Sequence, residues 1–158
     1  MKHFFKTSTF WIGLVIGIAL TFGGYFTVTS IYDYYLGREQ LKVLTASQKN
    51  LQTAFKEYNQ LMAEKKNKKQ FINELDDISN TINYEYNELA SLDPTMKTMY
   101  KHTGVIDDME LMIDNIDSIY ELTMNDHKDA TKPLQTYVSD LMEYVEKDMK
   151  KEISMLSK

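Results

Sequence analysis

The chain has 158 residues, 43% of them apolar and 26% charged, enough for one sizeable core and unlike the composition of a disordered protein. Its formal charge of -5 argues against general nucleic-acid binding, and the absence of cysteine excludes disulfides, thiol nucleophiles and thiolate metal sites. There are two prolines and six glycines, and four of those glycines precede residue 25, so the remainder is poor in β-turn residues and an all-α fold is expected.

Residues 1–9 form a short basic head with Lys2 and Lys6. From Phe10 to Val28 run 19 residues without a charge, and the uncharged stretch extends from Thr7 to Tyr32. About 20 apolar residues cross a bilayer, so residues 10–32 are expected to form a single transmembrane signal-anchor helix. Phe10 and Trp11 at one end, and Tyr25, Phe26, Tyr32, Tyr34 and Tyr35 at the other, put amphipathic rings where the two interfaces would fall. A cleaved signal peptide is the rival, with residues 28–30 as a small-residue cleavage signal. Its apolar region is usually about 7 to 15 residues, shorter than this one. Lys2, Lys6 and the terminal amine precede the span and Arg38 and Lys42 follow it, a balance slightly in favour of a cytoplasmic N-terminus and an extracytoplasmic C-terminal part. Within the run, Thr9, Gly13, Gly17 and Thr21 recur every four residues as a narrow small-residue ridge, a candidate face for close helix contact and homodimerisation in lipid.

Residues 33–158 are expected to form an antiparallel four-helix bundle or a coiled-coil-like helical domain. Leu41, Leu44, Leu51, Phe55, Tyr58 and Met62, with Gln48 in one seam position, give a first amphipathic helix over about residues 38–64. The pattern breaks at the charged residues 64–70 and resumes with its frame displaced at Phe71, Leu75, Ile78, Ile82, Leu89 and Leu92. That places a second helix near 70–91, although a stutter in one long helix would look similar. Asp93-Pro94 carries an N-cap residue followed by proline, which suggests a short helical piece from Thr95 to His102 stopping at Gly104. Ile106, Met109, Met112, Ile113, Ile116, Ile119 and Tyr120 mark a third helix near 105–125. Thr131-Lys132-Pro133 then restarts the chain for a fourth, near 132–157, with Leu134, Tyr137, Val138, Leu141, Tyr144, Val145, Met149, Ile153 and Leu156 in its stripe.

Charge is segregated along these segments. Residues 38–70 hold eight Lys or Arg against three acids, residues 71–94 six acids and no base, and residues 105–130 eight acids against Lys128, so a basic first helix suits acidic neighbours. The densest positive cluster, Lys65, Lys66, Lys68 and Lys69, is a candidate contact for an anionic partner, against the plainer reading of a solvated turn.

No catalytic, cofactor-binding or metal-binding residues emerge. The Glu-x-x-His pairs of di-metal bundles are missing, since Met99 and Met124 stand three residues before His102 and His127. The loop of Asp126, His127, Lys128 and Asp129 lacks EF-hand or zinc spacing, and adjacent acids such as Asp76-Asp77 and Asp107-Asp108 point about 100° apart on a helix. Helical spacing makes most methionines, and tyrosines such as Tyr84 and Tyr86, core or interface fillers, with a Met-rich partner groove at Met96, Met99, Met109, Met112 and Met124 as the alternative. The expected function is a non-catalytic, membrane-anchored interaction or scaffold module at the cell envelope, with the bilayer and a protein, or a second copy, as partners and no nucleic acid. A sensor-like bundle binding a small ligand outside the cytoplasm is the alternative, and a cytoplasmic regulator with reversed orientation a third.

Overall fold

The computed structural model describes the backbone of residues 2–158 and the side chains of residues 21, 27 and 30–158. Every regular element is helical: α1 (Lys2–Ala63), α2 (Lys68–Ala90), α3 (Met99–Met124), a 3-10 turn (Lys128–Ala130) and α4 (Thr131–Leu156). The chain divides into two compact units, Met1–Leu36 and Gly37–Lys158. In the first, the described side chains of Thr21, Thr27, Ser30, Ile31, Tyr32, Tyr34 and Tyr35 are exposed, and the Tyr34 and Tyr35 rings meet edge to face at 5.9 Å. The apolar residues 10–28, apart from Thr21 and Thr27, lie outside the residues whose side chains are described. Among the described residues no helix is long and apolar enough to cross a membrane.

The second unit is a helical bundle, and its cross-links give the course of the chain. Asn50 and Lys66 meet Glu85 and Glu74, so α1 and α2 run antiparallel. Lys68 meets Asp126 and Leu89 meets His102, which reverses α3 against α2. Lys101 and His102 meet Asp148 and Glu152 across α3 and α4, while Gln40 and Asn59 of α1 meet Glu152 and Ser139 of α4. Each helix thus touches its two neighbours in an up-down-up-down ring.

Stripes from all four helices close one core. Leu44, Leu51, Ala54, Phe55, Tyr58 and Leu61 of α1 join Leu75, Ile78, Ile82 and Leu89 of α2, Val105, Met109, Met112, Ile116 and Ile119 of α3, and Val138, Leu141, Met142, Val145 and Met149 of α4. Burial of such stripes, at about 25 cal/mol per Å² of apolar surface, holds together helices that would be marginal alone. The seam of α1 differs from its sequence pattern by one residue at several steps. Gln40, Ser47 and Leu61 are buried, whereas Leu41, Gln48 and Met62 are half-buried, because 40, 44, 47, 51, 54, 58 and 61 follow one continuous three-and-four spacing.

Three junctions follow different rules from those the sequence suggested, or realise them more fully. The charged break is a turn between two helices: α1 ends at Ala63, and Asn67 caps α2 by accepting the Gln70 N–H at 2.9 Å while its amide donates to the Gln70 side chain at 2.7 Å. There is no separate helical piece ending at Gly104. A turn at residues 96–98 leads into α3 at Met99, which runs on through Gly104, and no glycine of the described residues has the positive φ that a helix stop requires. Pro94 therefore lies ahead of the helix, not at its first position. The third junction is a Schellman motif: His127 N–H reaches the Leu122 carbonyl at 2.8 Å, Asp126 N–H reaches that of Thr123 at 3.2 Å, and Asp126 takes the left-handed φ of 62°. Thr131 does not act as the N-cap of α4. It is the first helical residue, its hydroxyl donates to the Lys128 carbonyl at 2.7 Å, and Pro133 sits in the first turn, where a missing N–H costs nothing.

Candidate functional site

The lysine turn joins α1 to α2, and the fold divides its four cations. Lys66 is engaged by Glu64, at 3.0 Å, and by Glu74, and the hydrogen bonds to Glu74 and Glu64 push its ammonium pKa up. Lys68 crosses to the end of α3, donating to the Met124 carbonyl at 2.6 Å and to Asp126 at 2.9 Å, and this ammonium holds the Asp126 carboxyl below its ordinary range. One carboxylate of the loop of residues 126–129, that of Asp126, thus already faces a cation. Lys65 and Lys69 are exposed, and no ion pair reaches either among the described residues. Of the ridge in the apolar run, Thr9, Gly13 and Gly17 lie outside the residues whose side chains are described, and Thr21 is exposed.

The opposite end of the bundle, where α1 enters at Gly37, holds a buried polar cluster that the sequence stripes conceal. Gln40, Thr95, Thr98, His102 and Glu152 are all buried there, Glu152 fully and His102 to within 4%. Hydrogen-bond logic fixes its polarity. The Thr95 backbone N–H can only donate, and it points to Gln40 Oε1 at 3.2 Å, with the Thr98 hydroxyl donating to the same oxygen at 3.1 Å. The Gln40 amide nitrogen is thereby turned to Glu152 Oε1, which accepts from it. His102 stands between two acceptors: Nε2–H donates to the Leu89 carbonyl at 3.0 Å, and Nδ1 lies 3.0 Å from Glu152 Oε1.

A proton at each ring nitrogen satisfies both contacts, and the ring so protonated forms a buried ion pair with the Glu152 carboxylate. Burial alone would lower the imidazole pKa. The hydrogen bond and charge of Glu152, with the Leu89 carbonyl adding to them, outweigh it and raise the pKa above its ordinary value. Glu152 Oε2 has no hydrogen-bond partner among the described residues, which makes this carboxylate the most polar unfilled position in the core. Further along the seam Asn50 donates to buried Glu85 at 2.7 Å.

Sequence reasoning weighed His102 only as a metal ligand and passed over Gln40 and Glu152. A signal was present: Glu152 stands three residues after Met149 and seven after Val145, a core position of the α4 stripe occupied by an acid. Among the described residues no group of three or more His, Asp or Glu is placed to hold a metal.

Outside this cluster α3 and α4 share a charged seam. Lys101 and Lys151 hold Asp148 at 3.0 and 3.2 Å, and although burial acts against it, their hydrogen bonds keep its carboxyl below the usual range. Asp108 is pushed up, first by burial and then by the charges of Asp148 and Asp107, and Asp117 likewise by burial and by Asp114 and Glu121. Met109 and Met112 are core, but Met96, Met99 and Met124 are exposed, as are Tyr84, Tyr137 and Tyr144, so these residues do not fill this bundle's core. Tyr137 and Tyr144 flank the Val138 and Val145 seam on its solvent side. Comparison with known proteins finds no matching family model, no matching curated protein and no matching solved structure.

Proposed function

We propose that the chain is a single-pass, membrane-anchored, non-catalytic helical bundle that serves as an interaction or scaffold module at the cell envelope, with its N-terminus cytoplasmic and residues 33–158 outside. The observation that carries this reading is the 19-residue uncharged run, flanked by aromatic rings, on the same chain as a bundle with a shared core. Several polar groups of that bundle are spent on one another: Lys66, Lys68 and Lys101 on acids, and Gln40 and His102 on Glu152. Protease added to intact cells, or to spheroplasts where a wall or outer membrane intervenes, should digest the C-terminal domain. Its protection in cells of verified integrity overturns the orientation. Crosslinking and affinity capture from native membranes should recover a specific partner. Failure to find one, together with substrate turnover by the purified protein, rejects the scaffold role.

A sensor-like reading is favoured by one feature, the unpartnered Glu152 Oε2 at a buried polar cluster. Saturable binding of a small hydrogen-bond donor that Glu152→Gln abolishes would place it ahead.

A further inference from the structure

The α1–α2 and α3–α4 junctions lie at the same end of the bundle, and between them is a hollow of about 310 Å³. Lys65 and Lys66 line it from the first junction, and Lys128 and Lys132 from the 3-10 turn and the start of α4. Its acids are Glu64, already paired with Lys66, and Asp129, so the lining carries a surplus of two positive charges in a chain of formal charge -5. Lys65, Lys128 and Lys132 are exposed, and no ion pair reaches them among the described residues. No acid stands in the first turn of α4, so the positive end of that helix adds to theirs. A concave site lined by an excess of one sign gathers ions of the other.

The rest of the lining suits an anion that also carries an apolar group. Half-buried Phe71 offers an aromatic wall. Thr123, in the last turn of α3, is 2% exposed, and its hydroxyl meets no hydrogen-bond partner among the described residues although it lines the hollow. Gln135 spends one amide hydrogen on the Thr131 hydroxyl at 2.9 Å, which leaves the other for a ligand. The volume is that of the smallest ligand pockets, roughly 300 Å³. Beyond Lys66 an adjoining hollow is lined by Glu57, Glu74 and Asp77, and these acids turn away a long polyanion and confine a small one to the side of Lys65, Lys128 and Lys132.

We infer that this hollow binds a small phosphate monoester. Such an ester carries a charge of about -1.5 to -2 at pH 7, which matches the surplus of the lining. The three free ammonium groups meet the phosphate oxygens as point charges, Thr123 and Gln135 donate to them, and Phe71 meets the organic part. All of these residues belong to the unit Gly37–Lys158, so the site stands apart from the membrane reading.

The test titrates phenyl phosphate into the full-length, ¹⁵N-labelled protein in neutral detergent micelles and follows the amide resonances. Saturable shift changes are expected at Thr123, Lys128 and Thr131, with several-fold weaker binding of benzenesulfonate, which has the same ring and one negative charge. Combining Lys128→Gln with Lys132→Gln should weaken phenyl phosphate several-fold. Lys49→Gln with Lys147→Gln should not, since it removes the same charge at exposed positions roughly 20 Å along α1 and α4 from this end. Circular dichroism verifies that both double variants are helical. Shifts that do not saturate, or that both double variants weaken alike, would report general charge attraction and overturn the site. Benzenesulfonate binding as tightly as phenyl phosphate would overturn the dianion. Short-chain phosphatidic acid, a monoester with a lipid body, is titrated in parallel. If it binds more tightly than phenyl phosphate, with the same loss in the Lys128 and Lys132 variant, the site stands and its ester is a lipid headgroup; if it binds more weakly, the ester is a soluble one.

Discussion

The two ends of the bundle use polar residues in opposite ways. At the end that joins α1 to α2 and α3 to α4, the charge pairs are open to solvent on at least one side. Half-buried Lys66 and Lys68 pair with more exposed carboxylates, and the backbone is shaped by the Asn67 cap and the left-handed Asp126. At the end where α1 enters, Gln40, Thr95, Thr98, His102 and Glu152 are buried and tie α1, the turn before α3, α3 itself and α4 to one carboxylate oxygen and one amide oxygen. Exposed pairs are cheap to make and cheap to lose, because water replaces either partner. A buried set specifies which helices meet and in what register, since each group left alone pays its full desolvation.

The sharpest way to break this contrast is Glu152→Ala. It strands a buried imidazolium and the Gln40 amide together, and removing one partner of a buried pair typically costs about 3 to 5 kcal/mol. Urea unfolding of the full chain in detergent should show that loss in the midpoint. A cost under about 1 kcal/mol, the range of exposed pairs, would mean that the cluster is not a specifying device.

The same pair sets a pH dependence. Because the folded imidazole has its pKa raised, its contribution is fully present below the unfolded value, about 6.5, and is lost as pH rises through the higher folded one. Melting temperature measured between about pH 6 and 9 should therefore fall for the wild type across that window. His102→Gln should flatten this part of the profile.

A smaller effect of opposite sign is expected at mid-bundle. The Tyr58 hydroxyl is buried without a partner among the described residues, and burial pushes its pKa up. Tyr58→Phe removes an unsatisfied polar group and should stabilise the bundle by about 1 kcal/mol by the same denaturation assay. A loss instead would show that the hydroxyl is hydrogen-bonded in solution.

At the exposed end the backbone cap should matter more than the charges. Asn67→Ala is expected to cost about 1 kcal/mol, the usual value of an N-cap side chain. Asp126→Asn should leave the midpoint nearly unchanged, since asparagine also tolerates the left-handed φ of 62° and the Asp126 side of the pair with Lys68 is well exposed. A larger loss at Asp126 than at Asn67 would reverse the ranking of cap and charge at this end.

Much of the bundle was legible from spacing alone. The stripes through Leu75, Ile78, Ile82 and Leu89, and through Met109, Met112, Ile116 and Ile119, are buried as their periodicity requires, and the charged break holds a turn at residues 64–67. Periodicity is a local property of a helix face, so no partner is needed to see it. The start of α3 was not legible, because Gly104 and Pro94 are punctuation signals that tertiary contacts overrode. Thr95 and Thr98 are pinned by Gln40, a residue 55 positions before the first of them, and the helix begins where that contact holds it. The α1 seam was misplaced at Gln40 and Ser47 for a related reason: polar residues in a seam look like surface until their partners are known.

The sequence by itself determined the all-helical class, the approximate extents of α2 and α4 and the uncharged 19-residue run, since these depend on residue type and spacing along one segment. Only the tertiary structure decided that Glu152, His102 and Gln40 meet, that Lys66 and Lys68 turn inward upon acids, and that Met96, Met99 and Tyr100 remain uncovered beside the entry of α1. Each of those outcomes depends on residues far apart in the chain. Whether a polar group is satisfied, or an apolar one covered, is set by what the other helices bring to it.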